Sequence, residues 1–213
     1  MSYSKRDIVD LVRVGCVEAI RALQTAHPRD PLIAFALCTD DDLAGVFHVG
    51  CTQKCESASQ ERGVRYLPNE WTRASDAEPQ SLASVQEHLQ QIWRAPPAED
   101  WGTKRDEHFD ALVEGLVAAR HELGLDGSTF LTVISTDPSD HLQRLEEAAL
   151  PRLNDPTVMR QWLRWRLVGT TEWLSTILQR KPPLSWADED LIHRLREETK
   201  RLESLLEQHR HAG

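Results

Sequence analysis

Strand-forming sequence is confined to the part of this chain before residue 136, and the remainder is typical of helices. Leu32–Cys38 and Thr129–Ser135 are short apolar runs bounded by turn residues, the pattern of strands buried on both faces. After an acidic turn, Val46–Gly50 favours a further strand that forms a hairpin with the first. Because helical segments flank these runs without a βαβ repeat, the sequence predicts an α+β fold with a small, mainly antiparallel sheet packed by helices.

Local signals mark where the helices should begin. The four-residue stretches that start at Ser4, Thr103 and Ser185 have the form of a helix-capping box. Asp137 and Asp155 each precede a proline, which predicts an N-cap followed by proline at the first helical position. On the helix after Asp155, eight apolar residues predict one wide buried face: Met159, Trp162, Leu163, Val168, Trp173, Leu174, Ile177 and Leu178.

The all-helical end of the chain is interpreted as an addition to the α+β domain. A length of 213 residues suits one domain with an appendage, so we expect a domain over 1–155 and a helical extension over 156–213 packed on it. The short proline-containing connection at 181–185 favours a C-terminal helical hairpin. Pairing of the last helix with a second copy of the chain, and hence a homodimer, stays open.

The net charge of −9 is unevenly distributed and restricts the classes of partner. Residues 1–153 carry 15 Lys and Arg against 25 Asp and Glu, whereas residues 154–182 carry five against two. A negative mean field repels phosphates, which argues against a general binder of nucleic acids or anionic membranes and favours a basic protein partner. The sequence shows no signal-peptide pattern and no apolar run of 18 residues, so we expect a cytoplasmic protein.

Residue types that bind metals occur in the hairpin, but their spacing is weak. Cys38, His48, Cys51 and Cys55 offer the sulfur and nitrogen donors that zinc prefers, yet no paired C-x-x-C motif is present. Strand alternation also directs His48 and Cys51 to opposite faces of the sheet. We therefore expect four reduced thiols, with Cys16 packed on the apolar stripe of the first helix, and no metal site.

The motifs of common enzyme classes are missing from the sequence. It contains no G-x-S-x-G elbow, no G-x-G-x-x-G loop and no Walker loop, so we expect neither catalytic residues nor a cofactor. Asp137, Asp140 and His141 follow the clearest strand and, like Glu70, could serve a hydrolase-type enzyme as acid–base groups. Capping and the helix dipole already account for both aspartates, so the enzyme is the alternative interpretation.

Arginine and tryptophan alternate in RQWLRWR, residues 160–166. On a helix Arg160 and Arg164 lie one turn apart, and Trp165 falls toward the edge of the buried face. Such residues can stack on bases, which leaves a nucleic-acid-binding regulator as a second alternative. Given the negative net charge, a solvated basic side or a protein-binding edge is the better interpretation.

RYLPNEW, residues 65–71, holds two aromatic residues, a proline, an amide and a carboxylate. Pro68 and Asn69 favour a turn, and Tyr66 and Trp71 supply large apolar anchors on either side. A structural corner is therefore the favoured interpretation. Glu70 is left without a structural use and is a candidate for function.

The order of these segments resembles an uncharacterised bacterial family, domain-of-unknown-function (DUF) family 4303. The resemblance covers residues 5–155 and rests on short segments: Phe35–Asp40, Val46–Thr52, Arg65–Trp71, Phe130–Asp137 and Leu153-Asn154. Tyr66 stands where the family pattern has tryptophan, and the helices from 156 onward lie outside it.

The resemblance implies a binding function. Related domains are placed near bacterial toxin systems and are proposed as immunity proteins, so the implied partner is a cognate toxin or effector. The acidic residues 1–153 suit a basic one, such as a nuclease. The candidate partner-binding residues are Glu70, Trp71, Tyr66, Arg160, Arg164 and Trp165.

Overall fold

A computed structural model describes residues 4–40, 43, 45–58, 64–66, 68, 71, 79–94, 101–136, 139–179 and 185–210. The elements are α1 Lys5–Ala26, β1 Leu32–Thr39, β2 Val46–Thr52, α2 Gln53–Ala58, a 3-10 turn at Val64–Tyr66, α3 Gln80–Arg94, α4 Trp101–Leu123, β3 Phe130–Ser135, α5 Asp140–Leu153, α6 Pro156–Leu178 and α7 Trp186–Arg210. The chain divides into two compact units, residues 1–155 and residues 156–213.

The first unit contains a three-stranded sheet in the order β2-β1-β3. The predicted hairpin is confirmed, because β1 and β2 pair antiparallel from Thr39 opposite Val46 to Leu32 opposite Thr52. β3 pairs with β1 in parallel, since α2 to α4 intervene and let the chain return to the same end of the sheet. The predicted α+β class is confirmed, with one antiparallel and one parallel pairing.

α1 is the central helix of the first unit and packs against α3, α4 and the sheet. Its predicted apolar stripe is buried, and Cys16 within it is fully buried, which raises the pKa of that thiol well above its usual range. Gly115 of α4 allows a close helix approach, since a Cβ there would lie 2.5 Å from the Val12 side chain. The core thus fills one face of the sheet, where the Phe35 and Leu131 side chains point.

Two of the predicted capping boxes are confirmed and one is wrong. Ser4 and Asp7 satisfy each other's backbone N–H groups at the start of α1, and Ser185 and Asp188 do the same at α7. The predicted start at Thr103 is wrong, because α4 begins at Trp101 and Thr103 lies inside it.

The predicted cap of α5 is also corrected. Ser139, not Asp137, is the N-cap, and its hydroxyl accepts the Leu142 N–H. Asp137 and Pro138 lie outside the described residues. Serine and aspartate cap about equally well, so composition could not choose between two positions only two residues apart.

The C-terminal unit is a hairpin of α6 and α7, as predicted. Ile177 of α6 and Ile192 and Leu195 of α7 form one buried cluster, with Leu174 and Leu191 packed against them. No helix in the described ranges is both long and apolar enough to cross a membrane.

Two side chains, those of Asn154 and Glu146, form hydrogen bonds with the backbone on the outer edge of β3. Asn154, at the end of α5, accepts the Leu131 N–H at 2.7 Å and donates to the Leu131 carbonyl at 2.7 Å and the Leu150 carbonyl at 3.0 Å. One Glu146 carboxylate oxygen accepts the Ser135 N–H at 2.5 Å. Buried backbone groups that would be costly to leave unpaired are thereby satisfied, and α5 is fixed along this edge.

We expect Asn154→Ala to destabilise the fold by about 2–4 kcal/mol, because it leaves the buried N–H and carbonyl of Leu131 unpaired. Urea unfolding followed by circular dichroism measures the change. Gln161→Ala, at an exposed position, is the control and should shift stability by less than about 0.5 kcal/mol. A similarly small effect of Asn154→Ala would contradict the pairing role.

Two histidines meet between α3 and α4. The rings of His88 and His108 are nearly perpendicular, with centroids 6.2 Å apart. Burial lowers the pKa of both imidazoles, and the charge of His88 adds to the effect at His108. Neutral rings are therefore favoured in the folded state.

This pair should make stability fall in mild acid. Because both pKa values are lowered on folding, the unfolded chain binds protons first, at about pH 6.5, so the stabilisation is present above that pH and is lost below it. Urea unfolding between about pH 7.5 and 5 should show a smaller loss for His108→Gln than for the parent chain. Equal losses would show that the pair does not cause the pH dependence.

Candidate interaction surfaces

The segment that begins at Arg65 is anchored on the side of the sheet that bears Ala34 and Ala36. The ring of Tyr66 meets Phe130 edge-on at a centroid distance of 5.0 Å, and its surroundings raise the pKa of the phenol chiefly by burial. Trp71 is only 6% exposed, and its backbone N–H donates to the Pro68 carbonyl at 3.1 Å. A turn with an aromatic anchor at each side is therefore present, as predicted for a corner.

A bidentate ion pair holds the start of this corner. Arg65 donates through Nε at 2.8 Å and Nη2 at 2.9 Å to the two carboxylate oxygens of Glu56 on α2. Cys51 and Cys55 lie beside the pair, and burial, followed by the neighbouring Cys55, raises the pKa of Cys51 to about 12. A protonated Cys51 thiol suits a packing role better than that of a nucleophile.

Burial limits what two of the predicted partner-binding residues can contact. Trp71 can contact a partner only if the corner rearranges, since it is 6% exposed, and half-buried Tyr66 offers one side at most. Glu70 and Asn69 lie outside the described residues, so the role of Glu70 stays a prediction.

The hairpin residues considered for metal binding are distributed over both faces of the sheet. His48 pairs with Leu37 and stacks on Phe35 at 5.9 Å, whereas Cys51 pairs with Ala34. The predicted separation of His48 and Cys51 is therefore confirmed. Within the described part of the chain, no three His, Cys, Asp or Glu side chains form a metal-binding group.

The carboxyl ends of the two parallel strands form an acidic edge, defined here by Asp40, Asp106 and Asp140. Thr136 donates its N–H to the Thr39 carbonyl at 2.7 Å, so the chain segments after β1 and β3 leave from neighbouring points. Asp40 follows β1 directly, and Asp140 is in the first turn of α5.

His141, one of the residues predicted as acid–base groups, lies beside this edge and contacts Asp106. His141 Nε2 lies 2.7 Å from Oδ1 of Asp106 on α4, and both side chains are substantially exposed. A carboxylate in this position fixes the orientation of an imidazole. The sequence did not single out Asp106 for this contact, because the 35 positions between the two residues conceal their proximity.

In RQWLRWR, two of the three arginines are engaged within the C-terminal unit. Arg160 donates to the His209 carbonyl and the Thr157 hydroxyl, both at 3.2 Å. Arg166 pairs with Glu198 at 3.1 Å and lies 5.4 Å from the centre of the Trp162 ring. Arg164 is exposed and accessible to a partner, whereas Trp165 is half-buried and offers only part of its side chain.

The predicted wide buried face of α6 is wrong at three residues. Val168 is 52% exposed, Trp173 53% and Leu178 50%. At about 100° per residue, Val168 lies on the opposite side of the helix from Ile177, nine positions away, and α7 covers one side only. Counting these angles would have identified Val168 from sequence, but not Trp173, which lies only about 40° around the helix from Ile177.

Comparisons with known proteins give a family but no characterised relative. No similar protein was found among curated proteins or among solved structures. A family model described as "Domain of unknown function (DUF4303)" matches residues 16–155, which is nearly the whole first unit. The chain therefore belongs to the DUF4303 family.

Proposed function

We propose that this chain is an intracellular immunity protein of bacterial origin that neutralises a cognate basic toxin by direct binding. The proposal is for binding, not catalysis. The observation that carries it is the location of the negative charge, because the family domain holds the acidic surplus and its two parallel strands end side by side at the acidic edge.

Several cations of the first unit are engaged in ion pairs away from that edge. Lys5 binds Asp110 at 2.6 Å and Glu114 at 2.9 Å, and Arg152 binds Asp110 at 2.5 Å. Although burial acts to raise it, these two cations hold the pKa of Asp110 at about 2. The network joins α1, α4 and α5 and also removes positive charge from the field that a partner would meet.

Three further arginines are paired in the same unit. Arg13 contacts Glu122, Arg65 contacts Glu56, and Arg120 bonds to Asp155 and the Leu153 carbonyl. At the acidic edge, the carboxylate of Asp140 is exposed and contributes negative potential to the surface that a partner would meet. Such a field accelerates encounter with a basic protein and selects against acidic ones.

Neutralisation would follow from occlusion. A basic toxin such as a nuclease presents positive charge where it meets its substrate, so an acidic surface that binds there also blocks substrate access. The mechanism requires no cofactor.

The direct test uses the protein encoded beside this chain's gene. We expect it to inhibit growth when expressed alone, to copurify with this chain and to become harmless on coexpression. A nontoxic neighbour, or a toxic one that neither binds nor is neutralised, would overturn the proposal.

Charge removal at the acidic edge should slow binding. For Asp40→Asn/Asp106→Asn/Asp140→Asn we expect the association rate constant with the toxin to fall about tenfold at low salt and to depend less on ionic strength. Stopped-flow fluorescence measures both quantities.

The matched control is Glu18→Gln/Glu87→Gln/Glu203→Gln, which removes the same charge from exposed helix positions elsewhere. Its association rate constant should change by less than about threefold. Equal losses in the two variants would assign the effect to net charge, not to the acidic edge.

A further inference from the structure

The exposed side of α6 carries two neighbouring rows of residues at four-residue spacing. One row is Arg164, Val168 and Glu172, and the other is Trp165, Gly169 and Trp173. Residues four apart lie one turn apart on the same face of a helix, so each row runs along the helix axis. Together the rows form what we call the α6 face.

The α6 face has exposed apolar side chains and, at its centre, a glycine. Val168 and Trp173 are each about half exposed, and Trp165 is half-buried. A Cβ built on Gly169 would meet no atom within 4 Å, so another backbone could approach closely between the two tryptophans. At about 100° per residue the α6 face extends around about half of the helix, from Arg164 to Trp173, and exposed large apolar side chains are typical of an interaction site.

The order of residues along both rows is complementary to itself in the antiparallel direction. A two-fold axis at Val168 and Gly169 would place Arg164 of one copy beside Glu172 of the other. The same axis would place Trp165 of one copy beside Trp173 of the other. The two pairings centre on Val168 and on Gly169, which are about 1.5 Å apart along the helix, so one two-fold axis brings both pairs close together, as an isologous dimer requires.

The charges on this face also suit a second copy. Arg164 and Glu172 are both exposed, and neither forms an ion pair with another residue in the described portion of the chain. Glu172 is the only acidic residue between positions 156 and 178. It lies where an antiparallel second copy would present its Arg164.

Pairing would also cover apolar side chains that α7 leaves exposed on α6. Val168, Trp173 and Leu178 are each about half exposed. Two such hairpins side by side make a four-helix arrangement, the usual way in which helical hairpins bury an exposed apolar face.

We infer that the α6 face binds the α6 face of a second copy of this chain, antiparallel about Val168 and Gly169. The inference concerns the C-terminal unit and is independent of toxin binding by the first unit. A failed dimer test would leave the proposed function untouched, and a failed toxin test would leave the dimer untouched.

Charge reversal provides the sharpest test, with the full chain studied by sedimentation equilibrium and light scattering. The parent chain should dimerise, and Arg164→Glu and Glu172→Arg should each weaken the dimer at least about tenfold, because like charges then face each other. The double variant Arg164→Glu/Glu172→Arg should restore it. Circular dichroism checks that each variant folds.

A parent chain that stays monomeric at about 100 μM would overturn the inference, since a contact that weak has no useful affinity. A double variant no stronger than the single variants would also overturn it. That result would indicate a different protein partner or another dimer surface.

Cross-linking tests the position of the axis separately. Val168→Cys should form a covalent dimer under mild oxidation, because the two copies meet there and cysteine is no larger than valine. The control is Ser175→Cys, exposed on the same helix and about 10 Å along it from Val168, which should not cross-link to its own copy. Equal cross-linking at both positions, or none at Val168→Cys, would contradict the antiparallel arrangement.

Discussion

The parallel pairing of β1 with β3 is the constraint on which the first unit depends. It joins an early hairpin to a strand about 90 residues later in the sequence, so helices α2 to α4 must fold over the sheet between them. On the far edge of β3, the backbone N–H groups of Leu131 and Ser135 donate to Asn154 and Glu146, and these bonds also position α5. It places the carboxyl ends of β1 and β3 side by side, and the acidic edge results from that adjacency.

The corner at 65–71 shows how a suggestive motif can serve the fold. Its aromatic residues are large, and the adjacent sheet face carries Ala34 and Ala36, whose small side chains leave room for them. The Arg65–Glu56 pair fixes the segment to α2. Each described residue of the corner is therefore explained by packing or pairing, which directs attention to the acidic edge and the α6 face as the surfaces open to partners.

Much of the fold was accessible from sequence because its signals are local. Alternation, apolar runs and capping residues predicted the hairpin, α1 with its buried stripe and the C-terminal hairpin within a few residues. The errors have local causes as well, since two good capping residues near α5 compete and the start of α4 precedes its apparent capping box. The exposed positions of α6 were missed because all of its apolar residues were assigned to one face, although they surround the helix.

By itself the sequence determined the α+β class, the acidic character of the first unit, the helical addition and the family resemblance. These follow from periodicity, composition and short-range steric preferences, which do not depend on distant residues. Only the tertiary structure decided that Asp106 meets His141, that Asn154 pairs with β3, that Trp71 is buried and that Val168 and Trp173 are not. Those facts depend on contacts between segments far apart in the chain, and such contacts are set by the packing of the whole unit, not by any local pattern.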